Sequence, residues 1–356
     1  MSESDGSNAV ELALAMGFAL AGVCGARESE HRVEFDRWLA QGKHGSMGYL
    51  ERHADLRADP RRVLAGARSI LLVADQYARR GERDPDLPSA HGRIARYARG
   101  RDYHRVMKRR LHALADALRP RYPGAEFRAF VDTAPILERE HAARAGLGWI
   151  GKHTLLIHPA RGSWLLLGGI LSTADLRPSD PPRPFPDHCG TCTRCIDACP
   201  THAITPYSVD ASRCIAYLTI ERRAPIDPEF FPAIGPLIFG CDICQEVCPH
   251  NSGRSDTFDA GEPAPEYAPR RDSFDLLEVL GWTPDDHRDA VRGTALGRAR
   301  PDMLKRNAAI AAGNALRGRD IPALRARLEQ LTRDEGEPDL VKDACRMVLD
   351  RVRASR

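Results

Sequence analysis

The spacing of apolar and polar positions changes repeatedly along the chain, and each change marks an element. Short apolar runs at 69–74, 127–131 and 164–171 are strand-sized. Residues 106–118 carry apolar side chains at helical spacing and stop before Pro120, which predicts a helix. The apolar, small-residue stretch 12–26 reads as a first amphipathic helix, 135–145 as a helix with a proline near its start, and 153–158 as a strand. Together these predict an α/β layer. The proline-rich stretch 177–186 reads as a linker into a different region. Near the other end, 301–316, 321–333 and 338–352 predict three successive amphipathic helices. Leu324, Leu328 and Leu331 share one face, as do Leu340, Ala344, Val348 and Val352. Helices recurring at that spacing predict a short solenoid of helical hairpins.

Composition narrows the class. The 356 residues are 42% hydrophobic and 28% charged, the profile of a globular protein of two or three domains. A net charge of +3 excludes a uniformly polybasic nucleic-acid binder. The charge is uneven: residues 292–356 hold 15 Lys/Arg against 9 Asp/Glu, and 93–110 hold eight Lys/Arg and one acid, interleaved with Tyr97 and Tyr103. Such stretches can follow a phosphate backbone, although a solvated helix face is the commoner use of a charge run. Leu20-Ala-Gly-Val-Cys24 nearly matches a lipoprotein cleavage site, but acids and no Lys or Arg precede it. No run approaches the roughly 18 apolar residues of a membrane span. The expected location is the cytoplasm, with no membrane partner.

Eight of the ten cysteines fall between 189 and 248. Cys189, Cys192, Cys195 and Cys199 are spaced C-x2-C-x2-C-x3-C and followed by Pro200. Cys241, Cys244 and Cys248 precede Pro249, and Cys214 completes a second four. In a cytoplasmic chain such clustering points to metal rather than disulfides. The first spacing is that of iron–sulfur runs in which the fourth cysteine ligates the neighbouring cluster. By that crossing rule Cys189, Cys192, Cys195 and Cys248 hold one [4Fe–4S] cluster, and Cys199, Cys214, Cys241 and Cys244 hold the other. Paired zinc ribbons also use C-x2-C pairs, but tetrahedral zinc suits the run poorly. Cys24 and Cys345 read as small buried hydrophobes.

Gly146-Leu-Gly-Trp-Ile-Gly151-Lys152 matches G-x-G-x-x-G and nearly a phosphate loop. Both motifs need a strand before the glycines and a helix after them. Here the order is reversed, and His153 stands where Ser or Thr should bind magnesium. These glycines are expected to shape a helix-to-strand turn.

The chain resembles the epoxyqueuosine reductase family. The stretches that carry the resemblance are Arg57-Ala-Asp-Pro60, Arg96-Tyr-Ala-Arg-Gly-Arg-Asp-Tyr-His104, Val131-Asp-Thr-Ala-Pro-Ile-Leu-Glu-Arg139, Ala145-Gly-Leu-Gly-Trp-Ile-Gly-Lys152, both cysteine groups and Arg306-Asn-Ala-Ala-Ile-Ala-Ala-Gly-Asn314. The resemblance implies an α+β multi-domain protein. A nitroreductase-like, reductive-dehalogenase-like α/β domain (1–178) would bind cobalamin without its lower base. A ferredoxin-type module (179–270) would carry two [4Fe–4S] clusters, and a HEAT-like helical domain (271–356) would grip tRNA. The implied reaction opens the oxirane of epoxyqueuosine at the tRNA wobble position by two electrons and loses water, giving queuosine. An unidentified low-potential donor supplies the electrons to what is expected to be a monomer.

The same resemblance implies roles for single residues. Asp132 would be the proton donor, a carboxyl kept protonated beside an apolar corrin; read alone, it is an acid ahead of a helix. Arg57, Tyr97, Asp132, Leu156, Leu167, Ala216 and Asp242 would contact the corrin, partly through backbone atoms. Arg222, Arg298, Lys305 and Arg306 would neutralise tRNA phosphates. His202 stands where the family has Gly and His250 where it has Trp, while His158 reads as structural. Two other functions share parts of the pattern. A cobalamin-dependent reductive dehalogenase would not need the basic helical C-terminus, and a two-cluster electron carrier would leave most of the chain without a use.

Overall fold

The computed structural model describes residues 5–178, 183–252 and 261–354. A four-stranded antiparallel sheet runs in the order Leu20–Gly25, Ser69–Gln76, Leu165–Ser172, Phe127–Val131. All eight residues of Ser69–Gln76 are buried. The pleat divides them: Leu71 and Val73 join one core with the helix Tyr103–Leu118, whereas Ile70, Leu72 and Ala74 join a second core with Ile136, Ala142, Leu147 and Leu156. A strand covered on both faces reads as an unbroken apolar run, which is why this element was legible.

The predicted first helix is corrected. The helix is Asp5–Ala15, and Leu20–Gly25 is an edge strand paired Leu20↔Ala74. Small apolar residues such as Ala21, Gly22 and Val23 have no helical stripe of their own, and pairing with Ser69–Gln76 decides their state. The helix predicted at 135–145 narrows to Glu138–Arg144. The glycine turn behaves as expected. Trp149–Ile150 pairs with Leu156–Ile157, and a Cβ at Gly148 (φ 147°) would run into the Ile157 carbonyl. Part of the predicted linker lies outside the described residues.

Strand pairing crosses the expected borders at 178 and 270. His91–Ile94 pairs with Leu237–Phe239 on one side and Ser273–Asp275 on the other, so one small sheet joins all three segments. At the end of the chain the helices are Pro301–Gly318, Pro322–Arg333 and Asp339–Ala354. Leu324, Leu328 and Leu331 are buried as predicted, as are Ala344, Val348 and Val352. The first and third helices approach closely at Gly313, where a Cβ would collide with Val348. No helix among the described residues is long and apolar enough to cross a membrane.

Candidate functional site

A cavity of about 2400 Å³ lies between the sheet, the cysteine region and the segment before Pro301–Gly318. It is well beyond the roughly 300–1,000 Å³ of an ordinary small-molecule pocket. Asp132 lines it from the end of Phe127–Val131, at a backbone φ of 41°. That left-handed conformation is uncommon outside glycine and marks a strained, specified position. His104 lies opposite, in the first turn of Tyr103–Leu118, with Nε2 3.1 Å from Asp132 Oδ2 and Nδ1 2.8 Å from Asp102 Oδ1. Asp102 also caps that helix by accepting the His104 backbone N–H.

The electrostatics run against the expected protonation of Asp132. Withdrawal from water would raise its carboxyl, but hydrogen bonds from His104 and Tyr103 and the charges of His104 and Arg139 hold it below the ordinary range. Burial would lower His104, but Asp132 and Asp102 raise it. Of the two groups, the imidazole is therefore the one that holds a proton more tightly. Glu138, on the same wall, goes the other way: burial, aided by the Asp132 charge, pushes it up to about 8. Sequence reasoning included His104 and Glu138 in family stretches without giving them roles. Their signal was a titratable residue at or beside the end of each of two motifs.

Of the expected corrin contacts, Arg57, Tyr97, Asp132, Ala216 and Asp242 line the cavity, and Leu156 and Leu167 do not. Leu156 is buried in the second core, and Leu167 packs against it from the sheet. Arg57 is 8% exposed, and its Nε has no hydrogen-bond partner among the described residues. His153, also on the wall and pushed down to about 4 by burial, leaves Nε2 without a partner among the described residues. Asp242 accepts the Arg96 backbone N–H at 2.7 Å, and burial raises its carboxyl to about 6.

The cysteines fall into two neighbourhoods. Burial raises the thiols of Cys195 and Cys248, and the nearby thiols of Cys189 and Cys192 add to both shifts. Burial likewise raises Cys241, with Cys214 and Cys199 adding to it, and Cys244, with Cys241 and Cys214 adding. The set of Cys199, Cys214, Cys241 and Cys244 borders the cavity; the set of Cys189, Cys192, Cys195 and Cys248 does not. Two sets of four thiols suit two cubanes, each of whose four irons takes one thiolate. His202 adopts φ 51°, a conformation suited to the glycine expected there, and His250 packs edge-on against Trp149 at 4.8 Å. His158 Nδ1 accepts the backbone N–H groups of Ala160 and Arg161, as a structural histidine should.

Two expected tRNA contacts are corrected. Arg306 is 1% exposed and donates to the carbonyls of Arg222, Ala224 and Leu218, while Lys305 is paired with Glu337 at 2.6 Å. Both hold the helix Pro301–Gly318 in place and present nothing to a phosphate. Arg298 remains half-exposed on the cavity, bidentate to Glu221, and Arg222 is half-buried with Nε on the Pro225 carbonyl. The basic run 93–110 also divides. Arg93, Arg96 and Arg99 converge on Asp84 and Arg110 on Asp75, whereas Arg105 and Lys108 reach the cavity.

Comparison with known proteins agrees with this arrangement. A family model described as epoxyqueuosine reductase QueG, DUF1730, matches residues 57–133, and one for a 4Fe-4S double cluster binding domain matches 188–251. The chain is 40% identical over 318 residues to an epoxyqueuosine reductase of Xanthomonas campestris, covering 88% of this chain and 87% of that one. Among solved structures, an epoxyqueuosine reductase bound to an epoxyqueuosine-modified tRNA-Tyr stem loop superposes with a TM-score of 0.83 at 26% identity, covering 97% of this chain and 89% of that one. The enzyme from Bacillus subtilis, with a catalytic aspartate loop swung out of its active site, superposes with a TM-score of 0.84 at 26% identity, covering 97% and 90%.

Proposed function

The chain belongs to the epoxyqueuosine reductase family, and from that premise we propose that it reduces epoxyqueuosine in tRNA to queuosine. The observation that carries this reading is the single cavity shared by the Asp132–His104 pair and the inner cysteine set. A two-electron reduction that ends in loss of water needs an electron relay and a proton source facing one space. A plain electron carrier would have no use for either the cavity or the acid pair.

The residues fit the cofactors. Cys189, Cys192, Cys195 and Cys248 are the ligands of the outer [4Fe–4S] cluster, and Cys199, Cys214, Cys241 and Cys244 those of the inner one. Arg57, Tyr97, Ala216 and Asp242 hold the corrin; the unpartnered Arg57 Nε supports this, since a buried donor without an acceptor costs about 1–3 kcal/mol unless a ligand satisfies it. Cobalamin supplies the two-electron reducing chemistry when bound. Asp132 passes a proton to the oxirane oxygen, whose developing negative charge a positioned acid neutralises. The rim residues Arg105, Lys108 and Arg298 meet the phosphates of the anticodon arm. The helices from Pro301 onward form the HEAT-like support behind them.

The substrate implies the cytoplasm as the site of action. A monomeric state draws support from the described surface, where the exposed large apolar residues Leu14, Val33, Tyr207 and Leu277 are single positions on separate elements. The electron donor is a low-potential carrier that meets the outer cysteine set. The test is mass spectrometry of nucleosides from epoxyqueuosine-containing tRNA after anaerobic incubation with the reconstituted protein, cobalamin and a strong reductant. Conversion to queuosine is expected, and no conversion by protein holding eight irons and bound cobalamin overturns the reading.

A further inference from the structure

Asp132 and His104 are separated by 28 residues in the chain, yet the fold sets their side chains within hydrogen-bonding distance at the wall of the cavity. A third residue completes a line. Asp102 Oδ1 holds His104 Nδ1 at 2.8 Å, and His104 Nε2 faces Asp132 Oδ2 at 3.1 Å. The imidazole lies against the Tyr103 ring, with centroids 4.0 Å apart, which fixes its plane. It is also anchored through its own backbone N–H to Asp102. A histidine held at both ring nitrogens by carboxylates is a donor at both.

We propose that His104 is the positioning residue and proton store for Asp132, with Asp102 orienting it. The proposal rests on the reductase reading above. The reaction takes up two electrons and two protons. One carbon–oxygen bond of the oxirane breaks as its oxygen takes the first proton, and the second bond breaks as that oxygen takes the second and leaves as water. The electrons come from the low-potential donor through the clusters. Asp132 Oδ2 passes each proton on from His104 Nε2 to the departing oxygen. The imidazole side chain is 34% exposed and is reprotonated from solvent between the two transfers.

The surroundings support this division of labour. Facing the pair are Tyr103 from the same helix turn, Glu138 and Arg139 from the segment after Asp132, and Tyr97 from the turn before the helix. The Arg298–Glu221 pair and Tyr49 lie farther along the wall. Among these, Arg139 is tied to the Thr154 carbonyl at 2.7 Å and Arg298 to Glu221, so neither competes for Asp132 as His104 does. Asp132 meets the imidazole from a left-handed backbone position, φ 41°, just past the end of its strand.

The test reads His104 directly in the full, cluster-loaded chain. Deuterium exchange at the imidazole C2–H, followed by peptide mass spectrometry across pH, reports the titration of each histidine. His104 is expected to titrate above the ordinary value of about 6.5 in the wild type and to fall in Asp132→Asn and in Asp102→Asn. Titration at or below that value in the wild type, unmoved by either substitution, overturns the proposal whatever the enzyme's activity. The second arm is single-turnover reduction of epoxyqueuosine tRNA by His104→Gln, which keeps an amide donor beside Asp132. The rate at pH 7.5 is expected to drop roughly 100-fold, with the descending limb of the pH profile moved to lower pH and stem-loop affinity unchanged. An unshifted profile with a proportionate loss of tRNA affinity would assign His104 a purely structural role. If the wild type does not reduce the tRNA at all, the reductase reading fails while the exchange measurement still decides the pairing.

Discussion

Two helices in this molecule carry basic side chains within their first two turns, and the fold uses them in opposite ways. In Pro301–Gly318, Arg306 spends its guanidinium on three backbone carbonyls and on Asn307, and Lys305 is spent on Glu337. Burial pushes Arg306 down to about 10, so it is still charged at neutral pH. In Tyr103–Leu118, Arg105 is 84% exposed, with Asp102 3.9 Å away, and Lys108 faces the same cavity. The difference is one of satisfaction rather than charge. A cation whose donors are all used inside the protein is part of the scaffold, whereas one with free donors beside a cavity is available to a ligand.

The comparison can be broken most forcefully at Arg306. Arg306→Ala strands buried carbonyls and should cost about 3–5 kcal/mol of stability in equilibrium unfolding. A variant as stable as the wild type but deficient in tRNA binding would reverse the assignment. Lys305→Met alone should cost about 3 kcal/mol by leaving Glu337 buried without its partner. The double variant Lys305→Met/Glu337→Leu should recover most of that loss, because both charges then leave the interior together.

On the open side the losses should appear in chemistry and binding instead. Asp132→Asn removes the group facing the cavity, and single-turnover reduction should slow at least roughly 100-fold, about 2.7 kcal/mol, while the unfolding midpoint stays near that of the wild type. The smallest effect belongs to the rim. Arg105→Ala and Lys108→Ala should each weaken stem-loop binding only several-fold, flatten its salt dependence by roughly one ion and leave stability within about 0.5 kcal/mol. Equal salt slopes for these variants and the wild type would remove the rim from the tRNA interface.

Much of the scaffold was legible because it rests on short-range rules. The strand Phe127–Val131 and the final helices followed from periodicity, since burial of one face or both imposes a pattern on neighbouring positions. The edge strand Leu20–Gly25 was read as helix because its state depends on a partner some 50 residues away. Lys305 and Arg306 were read as phosphate contacts because nothing local distinguishes a basic helix turn in solvent from one that docks on carbonyls more than 80 residues earlier.

The sequence by itself determined the metal chemistry and the family. Thiol ligands and their spacing are covalent facts, and the order of the motifs does not depend on how the chain packs. Only the tertiary structure decided which cysteine set borders the cavity, which cations are consumed inside the protein, and that His104 and Asp132, 28 residues apart, face each other. Those properties depend on what faces a side chain across the fold, and both desolvation and hydrogen bonding are set by that neighbour rather than by the residue's own identity.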